Sequence, residues 1–223
     1  MSDFRFVQYL ALRVDPAWRR LPQDERALGR DEFCRELEGA EGIRSYAYST
    51  LGLKSDTDLF LWRMSETPEP MQESLSGLLL TGLGRYLELS HSFVGLISPS
   101  TYVRRQDAQE QAILSQERQR YLVVYPFSKT IEWYLMSKEA RQGMMNEHIR
   151  IGHEYPQVRQ LLVYSTGLDD QEFVVSYETE NLDAFQKLVV ALRDTEARRY
   201  TLRDTPIFTC VYRPVVETLA LLG

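Results

Sequence analysis

Tyr48-Ser49-Thr50-Leu51-Gly52-Leu53, followed by Asp56-Thr57-Asp58-Leu59-Phe60-Leu61, returns later in the chain. The second copy is Tyr164-Ser165-Thr166-Gly167-Leu168, followed by Asp170-Gln171-Glu172-Phe173-Val174-Val175. The offset is 114 to 116 residues in a chain of 223, so one half repeats the other. Outward from each copy the correspondence continues. Upstream lies an apolar strand-like run, Phe4 to Val14 in the first half and Tyr121 to Phe127 in the second, each followed by a helical segment. Downstream come a strand, a helix that starts near an acidic stretch (Glu66 to Glu73; Glu178 to Asp183) and a closing apolar strand, Phe93 to Ile97 or Ile207 to Val211.

Each half therefore reads β-α-β-β-α-β, the split βαβ unit whose four-stranded antiparallel sheet carries helices on one face. Two such sheets press their open faces together to share a core. The expected fold is α+β: two tandem ferredoxin-like repeats packed sheet to sheet, a dimeric α+β barrel within one chain. Residues 1–99 form the N-terminal repeat, 100–120 a connector and 121–223 the C-terminal repeat. The polar run Gln109 to Gln119 predicts a helix inside the connector.

With 43% hydrophobic and 11% aromatic residues the chain is globular, and a net charge of −6 disfavours nucleic acid as a partner. Met1 to Val7 lacks a basic then apolar leader, and no apolar run approaches the length of a bilayer span. The expectation is a soluble, unprocessed, cytoplasmic protein. Cys34 and Cys210, the only cysteines, read as two buried free thiols.

The chemistry-bearing residues gather in the second half. Along Tyr121 to Lys129, strand alternation places Val123, Tyr125 and Phe127 on one side, and Lys129 shares their parity. A phenol and an ammonium then look into one cavity, although a strand tyrosine is ordinarily packing and a lysine beyond a strand ordinarily solvated. From Lys138 to Gly152, capped by Ser137, an amphipathic helix carries Met144, Met145, Ile149 and Ile151, with His148 on their face. His148 is either a core imidazole or a metal ligand. His153, about 140° further round the helix, does not share a metal with it. No HExxH motif or carboxylate-rich cluster supports a hydrolytic zinc site. Gln160, at a strand start, projects into the cavity or into water. Glu196-Ala197-Arg198-Arg199-Tyr200 closes the last helix, where its cations suit the helix dipole or meet a carboxylate-bearing ligand.

Together these motifs resemble the chlorite dismutase superfamily, and within it the coproheme decarboxylases of bacterial haem synthesis. The resemblance runs over Tyr121 to Pro214: Tyr125-Pro126-Phe127-Ser128-Lys129 with Glu132-Trp133-Tyr134, Glu147-His148, Tyr-Ser-Thr-Gly-Leu-Asp-Asp, and Glu-Ala-Arg-Arg-Tyr before Thr205-Pro206-Ile207-Phe208. It implies a haem or iron coproporphyrin, cofactor and substrate at once, with His148 as proximal iron ligand and Glu196 as the carboxylate behind it. In those enzymes hydrogen peroxide supplies the oxidising equivalents and a tyrosine becomes a radical. The radical takes hydrogen from a propionate β-carbon, and loss of CO2 with a second electron leaves a vinyl group, twice over. Tyr125 matches that tyrosine. Lys129 matches the lysine that pairs with a propionate, Trp133 an aromatic lining the pocket, and Arg198 an arginine near the propionates; Tyr102 is a further propionate candidate. Chlorite dismutases instead hold their oxyanion with a distal arginine, a place occupied here by Gln160, while Arg159 faces the other side by alternation. Ala108 falls near the place of the distal histidine of actinobacterial decarboxylases. The implied assembly is a homo-oligomer, a pentamer. Two other readings stand beside this one: a chlorite dismutase-like or peroxidase-like haem enzyme, and a non-catalytic haem-binding protein.

Overall fold

In the computed structural model, residues 4–100, 102, 112–115 and 117–223 are described. The chain divides into two compact units, Met1–Ile97 with Thr209–Gly223, and Ser98–Phe208. In the first unit, strands β1 (Phe6–Val14), β2 (Ile43–Ser49), β3 (Leu59–Ser65) and β4 (Leu87–Leu96) alternate with helices α1 (Gln23–Gly39) and α2 (Glu69–Leu80). β1 pairs antiparallel with β3 and β4, and β2 with β3, so the order is β4-β1-β3-β2. One sheet face buries Leu10, Leu12, Ala47, Leu59 and Leu61 against Trp18 of a 3-10 turn (Trp18–Arg20), Phe33 and Leu37 of α1, and Leu78 of α2. The opposite face carries an aromatic layer in which Tyr9 lies 6.1 Å from Phe60 and 6.0 Å from Trp62. Every residue of β3 is buried, which explains its apolar run Leu59 to Trp62, and the buried Arg63 donates to Gln8 Oε1 and Met71 O, each at 3.0 Å.

The second unit contains β5 (Tyr121–Lys129), β6 (Arg159–Tyr164), β7 (Phe173–Thr179) and the short β8 (Thr201–Arg203), with helices α3 (Ile131–Leu135), α4 (Lys138–His153) and α5 (Leu182–Arg193). Its antiparallel order is β6-β7-β5-β8. Ser137 Oγ caps α4 by accepting from Ala140 N at 3.2 Å, and Asn181 Oδ1 caps α5 by accepting from Asp183 N and Ala184 N.

The repeated sequence folds into a repeated hairpin. Gly52 and Gly167 both adopt positive φ, 74° and 78°, a conformation that a Cβ penalises. In each turn the backbone bonds recur: Leu53 N to Thr50 O and Leu168 N to Ser165 O, both 2.8 Å, with Thr50 N to Asp58 O and Ser165 N to Glu172 O closing the ladders.

Three features depart from the expectations. Glu196–Tyr200 forms its own 3-10 turn, because α5 stops at Arg193 and the chain turns through Asp194 and Thr195. The last strand, β9 (Phe208–Tyr212), pairs with β2 through Tyr48↔Tyr212 and Ser49↔Val211, and the C-terminal helix α6 (Val215–Ala220) adds Leu219 to the first unit's core. Cys210 is buried, but Cys34 only half so. Of the helix expected over Gln109 to Gln119, Ala112 and Ile113 are helical; Gln109 to Gln111 and Gln116 lie outside the described residues, as does Ala108. No helix among the described residues is long and apolar enough to cross a membrane.

Candidate active site

Register in the second unit decides what faces what. Across β5, β7 and β6, Tyr125 pairs with Val175 and Val175 with Leu162, while Val123 pairs with Tyr177 and Tyr177 with Gln160. Directly paired residues of an antiparallel sheet share a face, as do i and i+2 along a strand. Tyr125, Tyr177 and Gln160 therefore lie on one face. Arg159, paired with Glu178, lies on the other, where its Nη1 donates to Glu117 O at 3.1 Å. On that far face Glu178 is fully buried and forms an ion pair of 3.2 Å with Arg118, a connector residue.

Helix α5 covers the Tyr125 face, so Tyr125, Phe127 and Leu162 pack with Val175, Tyr177, Phe185, Leu188 and Leu192. The rings of Tyr125 and Tyr177 stack at 6.0 Å. Burial pushes the Tyr125 phenol well above its ordinary range, with Tyr177 and then Asp204 adding to the effect.

The β5 ladder is irregular between Ser128 and Lys129, yet Lys129 Nζ still lies 6.0 Å from the Phe127 ring. It sits 4.4 Å over the ring of Trp133 and donates to Ala197 O at 3.2 Å. Lys129 N also donates to Glu172 Oε2 at 2.7 Å, which fixes the backbone at this point. Burial, then the nearby Arg198 guanidinium, draw the ammonium down to about 8, against the pull of Glu172. Arg198 Nη1 is anchored by Asp204 at 2.9 Å, and Asp204 also faces Arg193 at 3.7 Å. Trp133 is buried, with Tyr102 at 6.2 Å edge-on and Tyr200 at 5.8 Å. Gln142 of α4 holds Tyr102 by its carbonyl at 3.1 Å.

His148 of α4 is drawn down to about 4, first by burial and then by Lys129, with Glu147 opposing. The imidazole is thus neutral at neutral pH. Its Nδ1 is buried without a hydrogen-bond partner among the described residues. The apolar residues beside it, Met144, Met145, Ile149 and Ile151, are only half-buried, and α4 has no fully buried residue. The inward face expected of this helix is therefore present but not closed.

The structure gathers Lys129, Trp133, Arg198 and Tyr102 around one locus, and His148 senses the Lys129 charge. Tyr125 and Gln160 share the sheet face one layer away. The Glu196 carboxylate is exposed and turned to Arg199 at 3.3 Å. Among the described residues the carboxylate that acts on the imidazole is Glu147, whose Oε2 also accepts from Glu196 N at 3.2 Å. Sequence reasoning met Glu147 and Glu172 only as members of quoted motifs and did not single out Tyr177 or Asp204. Strand parity would have found Tyr177, two residues on from Val175; the others act through contacts distant in sequence.

Among the described residues no three His, Cys, Asp or Glu side chains cluster as a metal cage. A neutral imidazole with an orphaned ring nitrogen suits an iron porphyrin, whose macrocycle brings four nitrogens of its own. Lys129 and Arg198 suit its carboxylates.

Fold and site together define an α+β protein with antiparallel sheets, in which a half-buried phenol, a neutral imidazole and two cations are gathered in one unit. The sequence profile of the chlorite dismutase family matches residues 19–213, and the chain belongs to that family. A coproheme decarboxylase from Mycolicibacterium smegmatis is 32% identical over 213 residues, 93% of this chain and 90% of that protein. A chlorite dismutase from Ideonella dechloratans is 25% identical over 97% of this chain and 80% of its own length. Among solved structures, an arginine-to-lysine variant of chlorite dismutase from Candidatus Nitrospira defluvii superposes with a TM-score of 0.91 at 28% identity, covering 100% of this chain and 96% of its own.

Proposed function

We propose that the protein is a coproheme decarboxylase, which converts two propionates of iron coproporphyrin to vinyl groups at the expense of hydrogen peroxide and so yields haem b. The observation that carries this reading is the register of β6. It sets the neutral amide of Gln160 on the face of Tyr125 and sends the guanidinium of Arg159 to the opposite face, tied to Glu117 O. A site for a chlorine oxyanion asks for a cation in that place; a site for hydrogen abstraction asks for the phenol.

In this reading the bound iron porphyrin, reacting with peroxide, supplies the oxidising power. His148 holds the iron through a neutral imidazole. Lys129 and Arg198 bind propionate carboxylates, and the Trp133 ring under the ammonium fixes its position. Tyr102 completes the propionate side. The Tyr125 phenol, half-buried and protonated, gives up its hydrogen and takes one from a propionate β-carbon. Phe127, Leu162 and Leu192 pack in the same apolar cluster and limit its contact with water. The two halves are ferredoxin-like repeats, residues 1–99 and 121–223 joined by 100–120; the recurrent hairpin and the β4-β1-β3-β2 order support this. The protein acts in the cytoplasm as a homo-oligomer, a pentamer.

The test is the mass of the porphyrin. Purified protein given iron coproporphyrin and peroxide is expected to show two successive losses, each equivalent to formic acid. Tight porphyrin binding with no mass change refutes decarboxylation, and oxygen release from chlorite in its place points to a dismutase.

A further inference from the structure

The ladder between β5 and β7 ends at the pair Phe127↔Phe173, yet β5 runs on for two more residues, and the last of them is Lys129. Past that pair β7 offers no ladder partner, and the backbone N–H of Lys129 donates instead to the side chain of Glu172, at 2.7 Å from Oε2. The same two segments are tied a second time, Glu172 N donating to Ser128 Oγ at 3.4 Å. On the other side of β5 the hold is poorer, because β8 is three residues long and its register slips between Ser128 and Lys129.

The first hairpin carries the same device. The β1–β3 ladder ends at Leu12↔Leu59, β1 runs on two residues to Val14, and Val14 N donates to Asp58 Oδ2 at 2.8 Å. Asp58 and Glu172 each stand one residue before the last paired residue of their strand, and their carbonyls accept the matching bonds from Thr50 N and Ser165 N. In both units an acidic side chain of the hairpin takes a backbone N–H where the ladder stops, through a charge-assisted bond stronger than the neutral one it replaces. What differs is the residue so held. Val14 is a buried apolar side chain, whereas Lys129 is a cation. Asp58 also faces Arg19 at 3.8 Å; Glu172 holds the main chain of Lys129 and leaves its ammonium to Ala197 O at 3.2 Å and to the Trp133 ring at 4.4 Å. A carboxylate paired with that ammonium would cancel its charge and compete with an incoming anion. One bonded to the backbone N–H directs the stem without cancelling the charge.

We infer that Glu172 is a positioning residue for Lys129: its carboxylate fixes the end of β5 through the Lys129 N–H, and so holds the ammonium over Trp133, ready for a substrate carboxylate. The inference rests on the decarboxylase reading, in which Lys129 binds a propionate. It assigns the hairpin of the second unit a part in substrate binding that the matching hairpin of the first unit, with valine in place of lysine, does not have.

Two measurements on the full chain test this. In the first, affinities for iron coproporphyrin and for its tetramethyl ester, which keeps the ring and lacks the charges, are read by fluorescence quenching. Glu172→Ala is expected to weaken binding of the acid several-fold, up to the about tenfold that Lys129 itself contributes, and to leave the ester unaffected. The conservative Glu172→Gln, whose amide oxygen still accepts the N–H, should restore binding of the acid. In a Lys129→Met background Glu172→Ala should have no further effect. Wild-type affinity for the acid in Glu172→Ala overturns the inference. So do equal losses for acid and ester, a loss in Glu172→Gln as large as in Glu172→Ala, or an undiminished loss in the Lys129→Met background. In the second measurement, hydrogen exchange of the Lys129 amide is followed without porphyrin. It should quicken in Glu172→Ala and stay near the wild-type rate in Glu172→Gln; an unchanged rate in Glu172→Ala overturns the clamp. Should Lys129→Met bind the acid as wild type does, the reading of Lys129 as a propionate partner fails, while the exchange rates still judge the clamp.

Discussion

Lys129→Met is expected to stabilise the porphyrin-free protein while loosening its hold on a carboxylate-bearing ligand. The ammonium is drawn from its ordinary 10.5 to about 8 by burial and by Arg198. At about 1.4 kcal/mol per pH unit, that gap means the charged form costs the fold about 3 kcal/mol at neutral pH. Methionine keeps the stem and removes the charge. It also loses the bond to Ala197 O and the position over Trp133, together worth about 1–2 kcal/mol, so a net gain of about 1–2 kcal/mol remains. The sign can be checked through pH. The folded state releases this proton near 8 and the unfolded state near 10.5, so between those values the unfolded chain binds more protons. Wild-type stability should therefore rise across that window, and the contribution should vanish in Lys129→Met. Urea unfolding of both proteins without porphyrin, at pH 7 and at steps up to pH 10, measures this. A variant destabilised by more than about 1 kcal/mol at pH 7, or a pH slope equal to the wild type's, refutes the reasoning. A cation that costs the fold stability and is gained back only against an anion is the mark of a binding residue. Coproporphyrin affinity should correspondingly fall by about tenfold or more, read by fluorescence quenching.

Three further outcomes are expected. His148→Ala should remove the imidazole-dependent features of the iron porphyrin absorption spectrum; an unchanged spectrum excludes His148 from ligation. Tyr125→Phe should bind iron coproporphyrin with wild-type affinity and release no CO2, and full turnover would remove Tyr125 from the reaction. Arg118→Met removes the ion-pair partner of the fully buried Glu178 carboxylate and should cost about 3–5 kcal/mol in urea unfolding, whereas a loss below about 1 kcal/mol would show that the pair does not fasten the connector to the sheet.

The repeat made the halves legible because it is written in local signals: two glycines at positive φ, two hairpins of nearly equal length, and strands whose parity follows from side-chain alternation. The same locality fixed α4, with its Ser137 cap, to within one residue of its observed end, whereas the register of β6 on β7 was needed to set Gln160 on the face of Tyr125. It did not reveal that Glu196–Tyr200 leaves the helix to form a separate turn, since charge at a helix end and charge just beyond it look alike in sequence. Nor did it reveal that β9 would pair with β2, because an apolar strand carries no label for its neighbour.

By itself, then, the sequence determined the recurrent hairpin, the helix that bears His148 and the alternation of sides along β5 and along β6, all consequences of local turn chemistry and of periods of 2 and 3.6 along the chain. Only the tertiary structure decided which charges meet. Lys129 loses proton affinity because packing sets it beside Arg198, and His148 stays neutral because it is buried near that same ammonium. Glu147 lies where its charge opposes the loss of proton affinity at the imidazole, the Glu196 carboxylate turns to Arg199, and Tyr177 stacks on Tyr125 through a ladder register. Desolvation and Coulomb interactions depend on distances of a few ångströms between segments tens of residues apart, and chain order does not encode those distances.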